Sequence, residues 1–441
     1  MSREIYHNGL FYRFVKLLVN FGLRAYFGRI VVKGRENLPS DTPYILAPNH
    51  QNAFLDALMM LQLNKFRPTV FVARADIFGS ALARKVLGFL KIMPVYRARD
   101  GKESLAQNEH IFEQSVEVVL HNTPFCIMAE GTHNDRRQLL PLKKGLFRIA
   151  FAAQQRLGST PLHIIPVGID YESYDKPRHT AIINIGKPIA VDGYMEQYSR
   201  NNALAINAIK NDLCAAMKAQ MHQIDSTSHC NDFYTISKLY ADSQHGDTWE
   251  RFETRRDITR KLDILEKSNP QQAEQLCDKM NDISEKCKKN GICPLQLFEP
   301  KSVTKTIIYT ILLWGVAAAI IAINWKIFVM LLLLCPIPFL PTRLLFRKTD
   351  DSQFVGSLNY AVQFVLTRIS VVAMTVAVGV MENVWYALGA LVAGVVVWRV
   401  GHRFGKMIKQ LAQGWKLLVF KNKTTRELRN IFAETLRTIS E

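Results

Sequence analysis

The stretch Pro48-Asn-His-Gln-Asn-Ala-Phe-Leu-Asp56 holds a histidine followed shortly by a single aspartate. Such a pair suits general-base chemistry. The carboxylate holds one ring nitrogen protonated and oriented, and the other can take a proton from a hydroxyl. A lone histidine more often closes a turn, so what accompanies His50 decides the reading. Arg97 ends the run Gly88-Phe-Leu-Lys-Ile-Met-Pro-Val-Tyr-Arg97, and Arg99 follows two residues on. Guanidinium forks delivered by a strand make a phosphate clamp; the alternative is a solvated strand end. Met128-Ala-Glu-Gly-Thr-His133 precedes Arg136, Arg137 and Lys143-Lys144-Gly145. A Gly-Thr turn after a strand lets backbone N–H groups approach an anion. Ile164-Ile-Pro-Val-Gly-Ile-Asp170 reads as a buried strand, interrupted by Pro166 and Gly168, with a structural role or a place along an acyl channel.

The elements that must position these groups follow from the apolar pattern. Expected strands are Tyr44–Ala47, Thr69–Ala73, Met93–Tyr96, Phe125–Ala129, His163–Tyr171 and Ala181–Ile185. Expected helices are Ala53–Leu63, Phe78–Leu90, Ser104–His121, Lys144–Gln155 and Ala203–Gln223. This alternation predicts an α/β layered fold with a mostly parallel sheet. Sites in such sheets form where strands end and helices begin, and both His50 and Glu130 fall at strand ends. Six steps along an ideal helix rotate about 240°, so His50 and Asp56 cannot share a helical face. They must meet across an irregular turn.

In this order and spacing the four stretches resemble the glycerol-phosphate acyltransferase family, which contains glycerol-3-phosphate and lysophosphatidate (1-acylglycerol-3-phosphate) O-acyltransferases. The resemblance covers roughly residues 30–225 and rests on Asn49-His50…Asp56, Gly88…Pro94-Val95…Arg97, Glu130-Gly131-Thr132 and Pro166-Val167-Gly168. It implies an acyltransferase-type fold with His50 as base and Asp56 as its partner. Arg97 would bind the acceptor's phosphate, and Glu130, Gly131 and Thr132 would shape the acceptor pocket. Members use acyl-CoA or acyl-carrier protein (acyl-ACP) as co-substrate, without a cofactor or metal. Two features depart from the family pattern. Five residues rather than four separate His50 from Asp56, and His133 stands where an arginine is usual. Histidine is a poorer phosphate clamp at neutral pH. Either Arg136 or Arg137 substitutes, or the acceptor differs from the usual phosphate.

A chain of 441 residues with net charge +18 has room for several domains and suggests a phosphate-rich partner. Without an aromatic-basic RNA motif or zinc-finger spacing, membrane lipids and phosphorylated substrates are favoured over nucleic acid; the resemblance implies that the partners are an acyl thioester donor and a glycerolipid acceptor. Seven scattered cysteines read as reduced thiols. The start of the chain shows no cleavable signal-peptide pattern.

Five regions are expected. Residues 1–29 form an amphipathic helix with Arg13, Lys16, Asn20 and Arg24 on one stripe. It lies either in the membrane interface, with basic groups on lipid phosphates, or on the domain's own core. Residues 30–225 are the acyltransferase domain. Residues 226–300 form a polar helical linker or hairpin, broken at Asn269-Pro270. Residues 301–405 form transmembrane hairpins, and residues 406–441 a basic tail helix. The apolar runs Thr306–Ile323, Phe328–Leu340, Val371–Val380 and Val384–Val397 pair across short joints. Basic clusters at Arg343, Arg347 and Lys348 and at Arg399, His402, Arg403 and Lys406 would put the catalytic domain on the cytoplasmic face of a multi-pass protein.

The function expected from these features is membrane-bound O-acyl transfer to glycerol-3-phosphate or 1-acylglycerol-3-phosphate in phospholipid synthesis. One rival keeps the chemistry but takes an acceptor without phosphate. The other is a catalytically silent lipid-binding membrane protein.

Overall fold

The computed structural model describes residues 5–64, 67–96, 102–134, 136–174, 177–244, 246–289 and 352–381, with isolated positions between 308 and 430. Arg97, Arg99 and the basic tail helix expected over 406–441, apart from position 430, lie outside the described residues. So do most of the apolar runs 306–323, 328–340 and 384–397 and the basic clusters beside them. The chain divides into two compact units. One comprises Met1–Gln223 with Thr349–Ser357, the other Ile224–Lys348 with Leu358–Glu441.

The first unit is built on a sheet of eight strands. They are β1 (Arg29–Lys33), β2 (Tyr44–Pro48), β3 (Val70–Arg74), β4 (Ile92–Val95), β5 (Phe125–Cys126), β6 (His163–Tyr171), β7 (Thr180–Ile185) and β8 (Ile189–Ala190). Their order is β1-β7-β6-β2-β5-β3-β4, with β8 on β6. Pairing is parallel throughout except where β6 meets β7 and β8. The mostly parallel layered fold expected from the alternation is therefore present. All five residues of β2 are buried, as are eight of the nine in β6. Strands covered on both faces lose the alternating pattern and read as continuous apolar runs, which is why these two are easily read.

Helices α1 (Leu10–Tyr26), α2 (Ala53–Met60), α3 (Ala81–Phe89), α4 (Lys102–Leu120), α5 (Gly145–Leu157), α6 (Met195–Arg200) and α7 (Asn202–Gln220) complete the unit. The main core joins Ile45 and Ala47 of β2, Ile164 of β6, Val116 and Val119 of α4, Phe147 and Phe151 of α5 and Leu213 of α7. Burying one such large side chain contributes about 1.5–3 kcal/mol.

Besides the short β8 and α6, which were not expected, three regions differ from the pattern-based expectation. Strand β1 extends the sheet beside β7; with only three apolar residues between Arg29 and Lys33 it carries little periodic signal. Strand β5 ends at Cys126 rather than Ala129. After Ile127 donates its N–H to the Leu46 carbonyl at 3.0 Å, the chain leaves the sheet and turns, Gly131 N bonding Met128 O at 3.0 Å. The described part of the region 226–300, residues 226–244 and 246–289, is more than a hairpin. Helices α8 (Cys230–Ser243), α9 (Thr248–Ser268) and α10 (Pro270–Lys289) bury a core of their own, including Phe233, Ile236, Ile258, Leu262, Leu276 and Met280. Its apolar residues are thinly spread among charges, so the polar average hid the core. The break at Asn269-Pro270 falls where expected. A capping box opens α9: the Asp247 side chain accepts the N–H of Glu250, and Glu250 accepts the Asp247 N–H at 2.7 Å.

Helix α11 (Ser352–Met381) is continuous across the flank of the apolar run 371–380. Among the described residues, its portion Val355–Val380 is the one helix long and apolar enough to cross a membrane. Arg368 lies within it, donating to the Phe364 carbonyl at 2.6 Å one turn back.

Candidate active site

Strands β2 and β5 are parallel neighbours, so the segments that follow their carboxyl ends emerge side by side. Asn49 extends the ladder by one bond, its N–H reaching Val167 O at 3.2 Å. Its side chain then takes the place of a strand. Nδ2 donates to Ile169 O at 3.0 Å, and Oδ1 accepts Ile169 N at 2.6 Å. The next residue, His50, therefore leaves the sheet from a rigid anchor.

The His50–Asp56 pair closes across the turn. His50 Nδ1 stands 2.8 Å from Asp56 Oδ2. The same carboxylate oxygen accepts the N–H groups of Gln51 and Asn52, each at 2.8 Å. Its other oxygen accepts the Tyr171 hydroxyl at 2.7 Å. Asp56 is fully buried, while the His50 side chain keeps 18% of its exposure. A buried carboxylate is stable when hydrogen-bonded donors surround it. Burial pushes the Tyr171 phenol well up, which keeps it a donor to Asp56. Since Asp56 is an acceptor here, Nδ1 carries the proton and Nε2 is left as the basic nitrogen.

The turn is irregular, as the six-step offset requires. Asn52 has φ −139° and ψ 48°, and Ala53 opens α2 at φ +40°, a left-handed value that L-residues rarely adopt. Here the chain accommodates five residues between the pair.

Glu130 is 1% exposed. Its two oxygens accept His50 N at 2.6 Å and Leu140 N at 2.7 Å. Burial raises its pKa to about 7 against the pull of those bonds. Rather than lining open space, the carboxyl ties the backbone of the His50 turn to the loop before α5. Gly131 has φ +68°, and a Cβ there would come within 3.1 Å of Lys143 Cγ. Thr132 beside it is exposed. The His133 ring lies edge-on to His50, with centroids 5.5 Å apart.

The two arginines that follow part company. Arg136 is exposed, and its carbonyl accepts the Gln51 side chain at 3.4 Å. Arg137 is 5% exposed and pairs with Asp170. It also donates to the Tyr171 carbonyl at 2.5 Å and lies over the Tyr174 ring. A guanidinium so engaged is a structural brace, which corrects its expected place as a phosphate clamp. Removing it would leave Asp170 buried without its cation, a loss of about 3–5 kcal/mol. The strand Ile164–Asp170 was expected to be structural and is. A Cβ on Gly168 would lie 2.2 Å from the Gln220 carbonyl.

Tyr171 and Gln51 were not singled out by sequence. Tyr171 lies 115 residues from Asp56, and no spacing rule links them; only the parallel pairing of β2 with β6 brings them together.

Among the described residues, His229, Asp232 and Cys277 bring possible metal-ligand atoms within 4.8 Å of one another. Burial and neighbouring carboxylates push the Cys277 thiol up to about 12, which opposes the thiolate a metal needs.

Residues 29–170 match the family model described as Acyltransferase. The chain is 26% identical over 192 residues to 1-acyl-sn-glycerol-3-phosphate acyltransferase alpha of Mus musculus, covering 41% of this chain and 62% of that protein. It is 39% identical over 175 residues to glycerol-3-phosphate O-acyltransferase 2 of Saccharomyces cerevisiae, covering 38% of this chain and 23% of that protein. Among solved structures it is similar to the 1-acyl-sn-glycerophosphate (LPA) acyltransferase PlsC from Thermotoga maritima, at 20% identity and a TM-score of 0.33 over 46% of this chain and 78% of that one. The match spans less than two thirds of the length of either curated relative.

Proposed function

We propose that this chain, whose residues 29–170 form an acyltransferase-family domain, moves an acyl group from a thioester, acyl-CoA or acyl-ACP, onto a hydroxyl of glycerol-3-phosphate or 1-acylglycerol-3-phosphate. The observation that carries this reading is the 2.8 Å contact between His50 Nδ1 and a fully buried Asp56, with part of the imidazole still exposed. In this mechanism Nε2 takes the proton from the acceptor hydroxyl as that oxygen attacks the thioester carbonyl. The tetrahedral intermediate collapses, the C–S bond breaks, and the thiolate takes the proton back from His50. Charge on the carbonyl oxygen calls for N–H donors. The N–H groups of His50, Gln51 and Asn52 are engaged by Glu130 and Asp56, so the donors come from outside this turn.

General-base help is worth about 10²–10⁴-fold. His50→Ala should therefore lose at least about 100-fold in thiol release from acyl-CoA in the presence of acceptor while the protein stays folded. Near wild-type turnover by that variant would remove the mechanism.

A second reading, transfer to a lysolipid without phosphate, is favoured by the engagement of Arg137 with Asp170. That ion pair removes one of the two cations able to replace the family arginine at His133. Comparing glycerol-3-phosphate, 1-acylglycerol-3-phosphate and neutral acceptors with one thioester separates the two readings. Release with none of them would favour a silent lipid-binding protein.

The reading also takes α1 as a membrane-interface helix. Leu10, Phe11, Phe14, Leu17, Leu18 and Phe21 form its exposed side, with Arg13 and Arg24 along one edge. Lys16 and Asn20, which share the polar stripe with Arg13 and Arg24, turn inward. Lys16 donates to the carbonyls of Asn64 and Arg67, and Asn20 accepts from Gln62 at 2.7 Å.

A further inference from the structure

We propose that Ser357, far along the chain from the acyltransferase-family domain, is a positioning residue for the acyl-transfer site; this rests on the function proposed above. The N-terminus of α2 lacks a cap of its own. Asn52 occupies the capping position, but its side chain accepts no N–H from the helix and donates instead to the Tyr174 carbonyl at 3.4 Å. The first N–H groups of a helix lie outside its regular ladder and are held by whatever acceptors the turn before it provides. Leu55 N donates to the Asn52 carbonyl at 2.9 Å, and the Ser357 hydroxyl, 302 residues away, adds a second acceptor to the same N–H at 3.3 Å. The same hydroxyl donates to the Asn52 carbonyl at 3.3 Å. One side chain thus touches both partners of the Asn52–Leu55 bond, inside the turn between His50 and Asp56.

The approach is close because residue 356 is glycine. A Cβ there would stand 2.0 Å from the Tyr174 carbonyl and 3.0 Å from Asn52 Oδ1. The Gly356 carbonyl is in turn held by the Tyr26 hydroxyl at 3.2 Å. Ser357 is 8% exposed, so water is a poor substitute for it. The left-handed Ala53 lies within the bridged turn. A turn in an uncommon conformation persists only when its surroundings over-determine it. Tyr171 and Tyr174, just past residue 170, hold Asp56 and Asn52, and Ser357 is the group that reaches this turn from far along the chain.

The test is Ser357→Ala in the full chain, read in two ways. Steady-state thiol release should show kcat lowered about five- to tenfold, with KM for donor and acceptor within about twofold. Hydrogen–deuterium exchange should quicken in peptides covering residues 50–58 and not in those from β6 or α5, with the melting temperature held. Gly356→Ala should give the same local quickening and a larger loss of kcat. Unchanged exchange over 50–58, a wild-type kcat, or faster exchange spread over the whole sheet would overturn the proposal. If the wild-type protein releases no thiol with any acceptor, the acyltransferase reading fails. The exchange arm then still decides whether Ser357 holds the turn.

Discussion

A carboxyl buried beside the His50 turn has a measurable consequence. Glu130 has a pKa raised to about 7 because burial disfavours its charged form. A group with a raised folded-state pKa favours folding most when protonated. Its contribution is full below the ordinary carboxyl range near 4.5 and is lost as pH rises through about 7. The stability gap between the wild-type protein and Glu130→Gln, followed by chemical denaturation, should therefore narrow as pH rises across this window. The change should be of the order of 3 kcal/mol. A gap that is flat or widens with pH would show that the two N–H bonds to Glu130 outweigh its burial. At the same scale, the meeting of His50 with Asp56 was legible from residue type and order; the backbone tie made by Glu130 was not. Tyr171 and the brace Arg137–Asp170 were not, because a basic side chain in a loop has the same sequence signature whether it faces a ligand or a buried carboxylate.

Helix α1 shows that members of one polar stripe can part company. Its polar members fall on one stripe, yet Lys16 is 6% exposed and Leu10 is 82% exposed. Burial lowers the Lys16 pKa to about 8, and the ammonium is held by carbonyls at the end of the segment after α2. The apolar side is left to face outward. Phe11 meets Phe89 of α3 at 5.4 Å between centroids, so exposed Leu82 and Val86 of α3 adjoin the same surface. Replacing Phe14 and Leu17 together by serine should cut binding to anionic phospholipid vesicles at least tenfold without lowering the melting temperature, since neither side chain is in the core. Loss of stability with unchanged vesicle binding would place that face against protein. Among the strands, those buried on both sides announced themselves, whereas β1 and β5 were set by their neighbours.

At the scale of the whole molecule, the relation to the membrane is a matter of one long apolar helix among the described residues. Helix portion Val355–Val380 has the length and composition to cross a bilayer. If it does, the full chain should stay in the pellet when membranes are washed with alkaline carbonate, which strips peripheral proteins. Quantitative release would reduce the attachment to a surface contact of the α1 kind.

The sequence by itself determined the layered α/β framework and the order of the chemical groups, because burial on both faces of a sheet enforces apolar runs and strand ends enforce turns. It also required that His50 and Asp56 meet through an irregular turn, since helical geometry forbids any other route. Only the tertiary structure decided which polar groups act as scaffold. Arg137 turned out to brace Asp170, Glu130 to tie two backbone segments, and Lys16 to face inward. It alone brought Ser357 to the head of α2. Such pairings depend on which strands and helices become neighbours, and long-range neighbours leave no local trace in residue spacing.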